Sequence, residues 1–214
     1  MEMIEVKLFD KKTKINEGMK LSVPVYGIGT IKSISKKEIL GEKILFCELI
    51  FSDGMVLSIP VNQMSDMKVR SVISEEMVKK IKNEVLDKNP KNNKNNWNKR
   101  IQEYKEKLSS GDINLIAELV RDLFICTKDF NKSYGEREIY YKAFDLLIKE
   151  FSISLGESEN EISKNITDIL NKNIKADNAK ISIDENINND NDDDYDFEDD
   201  DDEEIENTKS KKTA

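Results

Sequence analysis

The segment Asn92-Asn93-Lys94-Asn95-Asn96-Trp97-Asn98-Lys99-Arg100 marks the point where an Asn/Lys-rich run gives way to a predicted helix that starts at the only tryptophan of the chain. Trp97 is followed at positions i+4, i+7 and i+11 by Ile101, Tyr104 and Leu108, so these four side chains share one helix face. Cations lie beside or opposite that face. Two interpretations remain open: Trp97 anchors a helical core, or it meets a nucleic acid whose base stacking is disturbed.

Charge divides the chain into a nearly neutral part and an acidic C-terminal part. The whole chain of 214 residues has a formal charge of −9, but residues 174–214 alone hold 16 acidic and 5 basic residues. Residues 1–173 therefore carry 29 basic and 27 acidic residues, and residues 79–107 carry 10 basic and 4 acidic ones. This local basic block favours a nucleic-acid partner. Residues 174–214 are predicted to be disordered, because they cannot bury enough apolar surface to offset their ordering entropy.

The residue type that most often acts as a general base in enzymes is missing. The chain has no histidine, which removes the commonest general base and metal ligand. No Gly-rich strand-to-helix loop for phosphate is present. We therefore predict no enzymatic activity, no catalytic residues, no metal and no cofactor. Cys47 and Cys126 each lie in an apolar run and are predicted to be buried thiols.

The apolar runs also bear on location. None of them approaches the roughly 18 residues that a membrane helix needs, and the N-terminus lacks the pattern of a signal peptide. A cytoplasmic protein that does not contact membranes is expected.

Residues 18–72 have the pattern of a small β domain. Strands are predicted at 21–26, 30–35, 44–51, 55–61 and 68–70. The polar residues 36–43, around Gly41, are predicted to make a hairpin-like connection between the second and third of these strands. Residues 1–16 form either an extra strand or an arm. Five short strands with tight turns indicate a small bent sheet or barrel, a type of domain that more often binds than catalyses.

From Ser74 onward the apolar period is helical and predicts five helices. Ser74 and Asp112 are predicted N-caps, and the pairs Ser133–Glu136 and Ser158–Glu161 have the spacing of capping boxes. The loops are short enough for a compact bundle. The predicted class is α+β, with an N-terminal extension (1–17), a β domain (18–72), a helical domain (73–173) and an acidic tail (174–214).

Several short motifs follow one another along the chain in a particular order. In the first half they are Pro24 with Tyr26-Gly27-Ile28-Gly29, Ile39-Leu40-Gly41-Glu42-Lys43 and Ile59-Pro60-Val61. In the second half they are Asn96-Trp97-Asn98-Lys99-Arg100, Lys107-Leu108-Ser109-Ser110-Gly111-Asp112, Ala117-Glu118-Leu119-Val120-Arg121-Asp122-Leu123 and Ser133-Tyr134-Gly135-Glu136-Arg137. Over about residues 18–170 the chain resembles the CarD/CdnL family of bacterial transcription regulators.

The resemblance implies a Tudor-like module that docks on the β subunit of bacterial RNA polymerase. It also implies a helical domain that binds promoter DNA at the upstream edge of the transcription bubble, without sequence specificity, and stabilises the open complex. By position, Trp97 would be a wedge in the minor groove. The implied phosphate contacts are Lys99, Arg100 and Arg137, and the implied polymerase contacts are Lys37, Ile39 and Ser58. The protein is expected to act as a monomer in the cytoplasm, associated with the nucleoid.

Two departures from the family pattern keep an alternative open. Ser58 stands where some members carry an arginine, and Ile125-Cys126 replaces a basic pair. The alternative is a protein-only adaptor that docks through the β module without productive DNA binding. The acidic tail adds a separate hypothesis, in which it competes with DNA for the basic block or binds a partner of its own.

Overall fold

The computed structural model describes residues 3–91, 93, 95–127 and 134–184, with side chains as far as residue 174. The described chain forms an antiparallel sheet module followed by five α-helices, which confirms the predicted α+β class. Each module has its own hydrophobic core. No helix among these residues has both the length and the apolar character that crossing a membrane requires.

The β module contains seven strands. They are β1 (Ile4–Lys7), β2 (Lys12–Ile15), β3 (Lys20–Val23), β4 (Gly27–Ile39), β5 (Glu42–Ile50), β6 (Val56–Pro60) and β7 (Arg70–Ser71). Five of them make one antiparallel sheet in the order β6-β5-β4-β3-β7, so the predicted five strands are present. A register shift between Ile31 and Ser33 interrupts the pairing of β4 with β5. Such an irregularity bends a strand locally.

The N-terminal segment, which the sequence left as a strand or an arm, is a two-stranded hairpin of β1 and β2. Its side chains Val6, Leu8 and Ile15 are buried in the core of the sheet module. The backbone N–H of Phe9 donates to the carbonyl of Val69 at 2.8 Å. The hairpin is therefore part of the packed module.

The predicted hairpin-like connection over residues 36–43 is present, but its turn is much shorter than predicted. β4 and β5 continue through this region and are joined only by Leu40 and Gly41. Both residues have positive φ, +53° and +84°, as the tight turns of two-residue hairpins require. The hairpin leaves much of both strand faces in contact with solvent, so its polar side chains need no burial. That polarity caused the error.

The helices are α1 (Glu75–Ile81), α2 (Trp97–Ser109), α3 (Ile113–Leu123), α4 (Tyr134–Leu155) and α5 (Glu159–Asp184), and α1 continues into a π-helical turn over Lys82–Leu86. The sequence signals that predicted the starts of these helices are N-caps, which form local hydrogen bonds. Ser74 caps α1 by accepting from the N–H of Met77, and Asp112 caps α3. Ser158 and Glu161 form the predicted capping box. Ser133, the start of the other predicted box, lies outside the described residues.

The predicted end of α5 at residue 173 was also wrong, since the helix runs to Asp184. Asn173 is buried, and its Nδ2 donates to the carbonyl oxygens of Leu86 and Lys88 at 2.8 and 3.4 Å. Ile174 packs against the helical core. These tertiary contacts support the helix where composition alone indicated disorder. The remaining predicted tail, residues 185–214, lies outside the described residues.

A buried ion pair joins the two modules. Arg70 of β7 donates through Nη1 and Nη2 to the two carboxylate oxygens of Glu150 on α4, and its Nε donates to the carbonyl of Gly111 at 2.7 Å. Glu150 also accepts from the N–H of Ile73. A Cβ at Gly111, where φ is +75°, would lie 2.9 Å from Cγ of Pro24. The sheet module is thus bonded directly to the helices at a close approach that only glycine fits.

Candidate functional site

Trp97 is the first residue of α2, at the rim of the helical core. Asn96 caps the helix by accepting from the N–H of Lys99 at 3.0 Å. Of the four side chains predicted to share one face, Ile101, Tyr104 and Leu108 are buried, whereas Trp97 is 49% exposed. The core-anchor interpretation therefore fits the three residues that follow Trp97 better than Trp97 itself.

The segment before Trp97 is fixed by Glu103 of α2. The Nδ2 atoms of Asn93 and Asn95 each donate to one oxygen of this carboxylate at 2.8 Å. The side chain of Asn93 also accepts from the N–H of Asn95. The Asn-rich run was predicted as a loop, but its bonds to Glu103 were missed. No sequence signal distinguishes this glutamate from an ordinary solvated one.

Arg100 is held by two groups on the protein. Its Nε donates to Glu136 of α4 at 3.0 Å, and its Nη1 donates to the carbonyl of Asn95 at 2.9 Å. The Arg100 side chain is 26% exposed and that of Glu136 only 8%. Arg100 thus connects the start of α2 to α4 and to the segment that leads into Trp97.

The other two predicted phosphate contacts are the sequence neighbours of this pair, Lys99 before Arg100 and Arg137 after Glu136. Lys99 is exposed on α2, and its side chain forms no ion pair with the described residues. Arg137 follows Glu136 on α4 and is partly buried. The structure thus brings Trp97, Lys99 and Arg100 together at the start of one helix and places Arg137 on the adjoining one.

Arg121 and Asp122 of α3, to which the sequence analysis gave no role in the site, bond to the chain between α1 and α2. The buried Arg121 donates through Nη1 to the carbonyl of Val85 at 3.1 Å and through Nε to Asp122 at 2.7 Å. The same Asp122 oxygen accepts from the N–H of Lys91 at 2.8 Å. The available signal was their place in the Ala117–Leu123 motif.

Burial also affects the protonation of the Tyr104 side chain, which follows Trp97 by seven positions on the same helix face. Desolvation, with a further contribution from the Glu136 carboxylate, raises the pKa of Tyr104 to about 12. Its hydroxyl therefore remains neutral at physiological pH and adds no charge to the site. The charges at the start of α2 are those of its cations and of the carboxylates that hold them.

A second surface lies on the exposed face of the sheet. Lys37 of β4 donates through Nζ to Glu48 of β5 at 2.8 Å and to the hydroxyl of Ser58 on β6 at 3.3 Å. The same ammonium lies 5.3 Å from the ring centroid of Phe46. Ile39 is two residues beyond Lys37, on the same strand face, and is 43% exposed. The three predicted polymerase contacts therefore lie on one face of the sheet.

Glu48 is the member of this surface that the sequence analysis missed. Hydrogen bonds from Lys37 and then from Ser33 hold the pKa of its carboxyl below the usual range. Glu48 is therefore ionised at neutral pH and fixes the Lys37 ammonium in place. A glutamate in an otherwise apolar strand was the available signal.

The described residues show no group of three or more acidic or cysteine side chains placed to hold a metal ion. Cys47 and Cys126 are both buried thiols, as predicted, and neither forms a disulfide. Burial, and to a smaller degree the Glu48 charge, raises the pKa of the Cys47 thiol to about 12. This thiol therefore stays protonated, which excludes it as a ready nucleophile at neutral pH.

A sheet module whose exposed face carries Lys37, Ile39 and Ser58 is bonded to helices that present a half-exposed tryptophan beside cations, an arrangement typical of two-module binding proteins. Residues 24–73 match the family described as CarD-like/TRCF RID domain, and residues 83–167 match the family described as CarD, C-terminal domain. The chain is also 27% identical over 146 residues to "Putative transcription factor YdeB" of Bacillus subtilis (strain 168), covering 68% of this chain and 95% of that protein. The chain belongs to the CarD/CdnL family of transcription-associated factors, whose members are transcription factors rather than enzymes.

Proposed function

We propose that the protein binds the β subunit of RNA polymerase through its sheet module and promoter DNA through the start of α2, and that it stabilises the open complex. Membership of the family supports the interaction with RNA polymerase. The observation that carries the proposed DNA binding is Trp97, which is half-exposed at the start of a capped helix. The segment before it is held by Glu103 through Asn93 and Asn95.

The proposed mechanism follows from the energetics of a wedge. Inserting an apolar side chain between bases costs a few kcal/mol of stacking, and the cost is least where the duplex is already opening. A protein that binds this opened edge better than closed duplex shifts the equilibrium toward the open complex. Lys99 supplies a contact to phosphates that carries no sequence information. Arg100 mainly positions Trp97, because its guanidinium is bonded to Glu136 and Asn95.

The test of the wedge is the lifetime of an open complex formed with the cognate polymerase on one promoter. Trp97→Ala is expected to shorten the lifetime by about tenfold, which corresponds to about 1.4 kcal/mol. Phe9→Ala is the matched control, because Phe9 is 52% exposed on the N-terminal hairpin. Equal lifetimes for a well-folded Trp97→Ala variant and the wild type would refute the wedge.

The sheet face is proposed as the polymerase contact. It combines an exposed isoleucine with an ammonium fixed by Glu48 and Ser58, which gives a partner both apolar area and an oriented charge. Ile39→Glu is expected to weaken binding to the polymerase β subunit by at least tenfold and to leave DNA affinity unchanged. Ile50→Glu is the control, because Ile50 is 37% exposed near the opposite end of β5. Equal loss in both variants would argue against a contact centred on Ile39.

A second candidate function is the protein-only adaptor. Two observations favour it: Arg100 is engaged with Glu136, and the exposed Ile125 stands where a basic residue is common in the family. Salt dependence separates the two functions. Binding to bubble-containing DNA that weakens steeply with salt supports the transcription regulator, because each phosphate contact releases counterions. The absence of such binding supports the adaptor. Either protein would act as a monomer in the cytoplasm, and the regulator would be associated with the nucleoid.

A further inference from the structure

Two exposed lysines lie in the segment before α2, and a third lies in the first turn of the helix. Lys88, Lys91 and Lys99 are exposed, and their side chains form no ion pair with any described residue. We call them the basic row. The chain they belong to crosses the helical module, since Lys88 accepts from Asn173 of α5 and Lys91 donates to Asp122 of α3. Lys99 lies beside Trp97 on α2.

The part of the chain that follows α5 has the opposite charge. Residues 185–214 contain 14 acidic and 3 basic residues. Most of the acidic residues fall in one run, Asp192–Glu204, where 11 of 13 residues are aspartate or glutamate. The two exceptions are Tyr195 and Phe197. Charge complementarity with the basic row is therefore strong.

The position of α5 brings this acidic run within reach of the basic row. Asn173 is bonded to the backbone of Lys88, and α5 ends at Asp184, about 16 Å further along its axis at 1.5 Å per residue. Eight residue steps separate Asp184 from Asp192. Eight residues span at most about 26–29 Å when fully extended, which exceeds the rise of the helix beyond Asn173. The start of the acidic run can therefore return to the level of Lys88.

We propose that the acidic run Asp192–Glu204 docks on the basic row formed by Lys88, Lys91 and Lys99 and competes there with DNA. The docking part stands on the charges and on the position of α5. The competition part rests on the proposed DNA-binding function. A tether of this length gives the tail an effective concentration of about 1 mM, so even a weak contact of about 0.1 mM affinity would lower DNA affinity about tenfold.

The test compares the full chain with a full-length variant in which every Asp and Glu of residues 192–204 is replaced by Asn or Gln. The first measurement needs no DNA: the rate at which an amine-reactive reagent modifies each lysine, followed by mass spectrometry. Lys88, Lys91 and Lys99 are expected to react several-fold faster in the amide variant. Lys12, Lys14 and Lys20, exposed on the sheet module, are the internal controls and should not change. Unchanged reactivity of the basic row, or an equal change at the control lysines, would overturn the docking.

The second measurement is affinity for bubble-containing DNA at low and high salt. The amide variant is expected to bind about tenfold more tightly at about 50 mM salt, and the two proteins should converge near 0.3 M as screening increases. A full-length variant with Lys88, Lys91 and Lys99 changed to Gln should lose this difference. Equal affinity of the first two proteins at low salt would overturn the competition. If neither protein binds DNA while the lysines are protected, the proposed function fails and the docking stands.

Discussion

Two charged pairs support the two proposed contact surfaces, and they differ in what surrounds them. Lys37–Glu48 on the sheet and Arg100–Glu136 below Trp97 have similar N–O distances, 2.8 and 3.0 Å. The side chains of the first pair are 42% and 26% exposed, whereas those of the second are 26% and 8% exposed. The first pair lies on the surface that a partner would touch. The second lies beneath the surface and holds it in place.

The difference shows that a cation at a binding surface can be part of the contact or part of its support. An exposed pair contributes little to stability and is open to rearrangement when a partner arrives. A largely buried pair is costly to break, because the remaining charge loses its partner without regaining water. Under the proposed function, Lys37 is therefore a contact residue, and Arg100 is mainly a positioning residue.

The largest effect on stability is expected at the pair Arg70–Glu150, which joins the modules. This pair is more buried than either of the two compared above. Glu150→Ala leaves the buried Arg70 guanidinium without its carboxylate and should lower the free energy of unfolding by about 3–5 kcal/mol. Urea denaturation measures this loss. Glu138→Gln, which removes an exposed pair with Lys142 on the same helix, is the control and should leave the denaturation midpoint unchanged. A comparable midpoint for all three proteins would contradict the assigned role of the joint.

An intermediate effect is expected at Glu136. Glu136→Gln removes the charge that holds Arg100 and should cost about 1–2 kcal/mol of stability. Because Arg100 also holds Asn95, the change should alter the surroundings of Trp97 and shift its fluorescence emission. Glu106→Gln on the exposed side of α2 is the matched control, since Glu106 accepts only from Gln102 among the described residues. An unchanged emission spectrum in Glu136→Gln would mean that Arg100 does not position Trp97.

The smallest effect is expected at Lys37. The lowered pKa of Glu48 means that its bond with Lys37 stabilises the fold above the ordinary glutamate range and is lost as pH falls below it. Lys37→Met should therefore raise the pKa of Glu48 toward 4.5, with little change in thermal stability at neutral pH. A carboxyl titration followed by NMR measures the shift. Ser33 remains as a donor, so the pKa should recover only in part; no movement at all would show that Lys37 does not bind Glu48 in solution.

The sequence predicted what is encoded locally. The caps at Ser74, Asp112 and Ser158 formed as expected, because each bonds to a backbone group within three residues. The errors came where distant contacts decide. At the predicted end of α5, Asn173 is buried and bonds to the carbonyl of Leu86, 87 positions earlier, and the helix continues. β4 and β5 extend further into the polar stretch than predicted, because the two strands pair with each other as far as Ile39 and Glu42.

The candidate site shows the same limit. The pattern predicted that Trp97 begins a helix, but periodicity cannot show that the first turn lies at the rim of the core while the following turns lie inside. Arg100 was predicted as a surface cation, and its partner Glu136 is 36 residues away on another helix. Lys37 and Ser58 were named separately, and only the sheet register places both next to Glu48. Which side chains meet in the site depends on the pairing of strands and the packing of helices, which the local sequence pattern does not encode.

The joint at Arg70, Glu150 and Gly111 has a consequence for the choice of promoter. Because the sheet module is bonded to the helices, the separation between the proposed polymerase contact and Trp97 is fixed by the protein. One base pair of duplex is about 3.4 Å long. Under the proposed function, a bubble whose upstream edge moves by a single base pair would carry the opened step away from the tryptophan. The protein would then favour promoters by where their melting begins, even though it reads none of their bases.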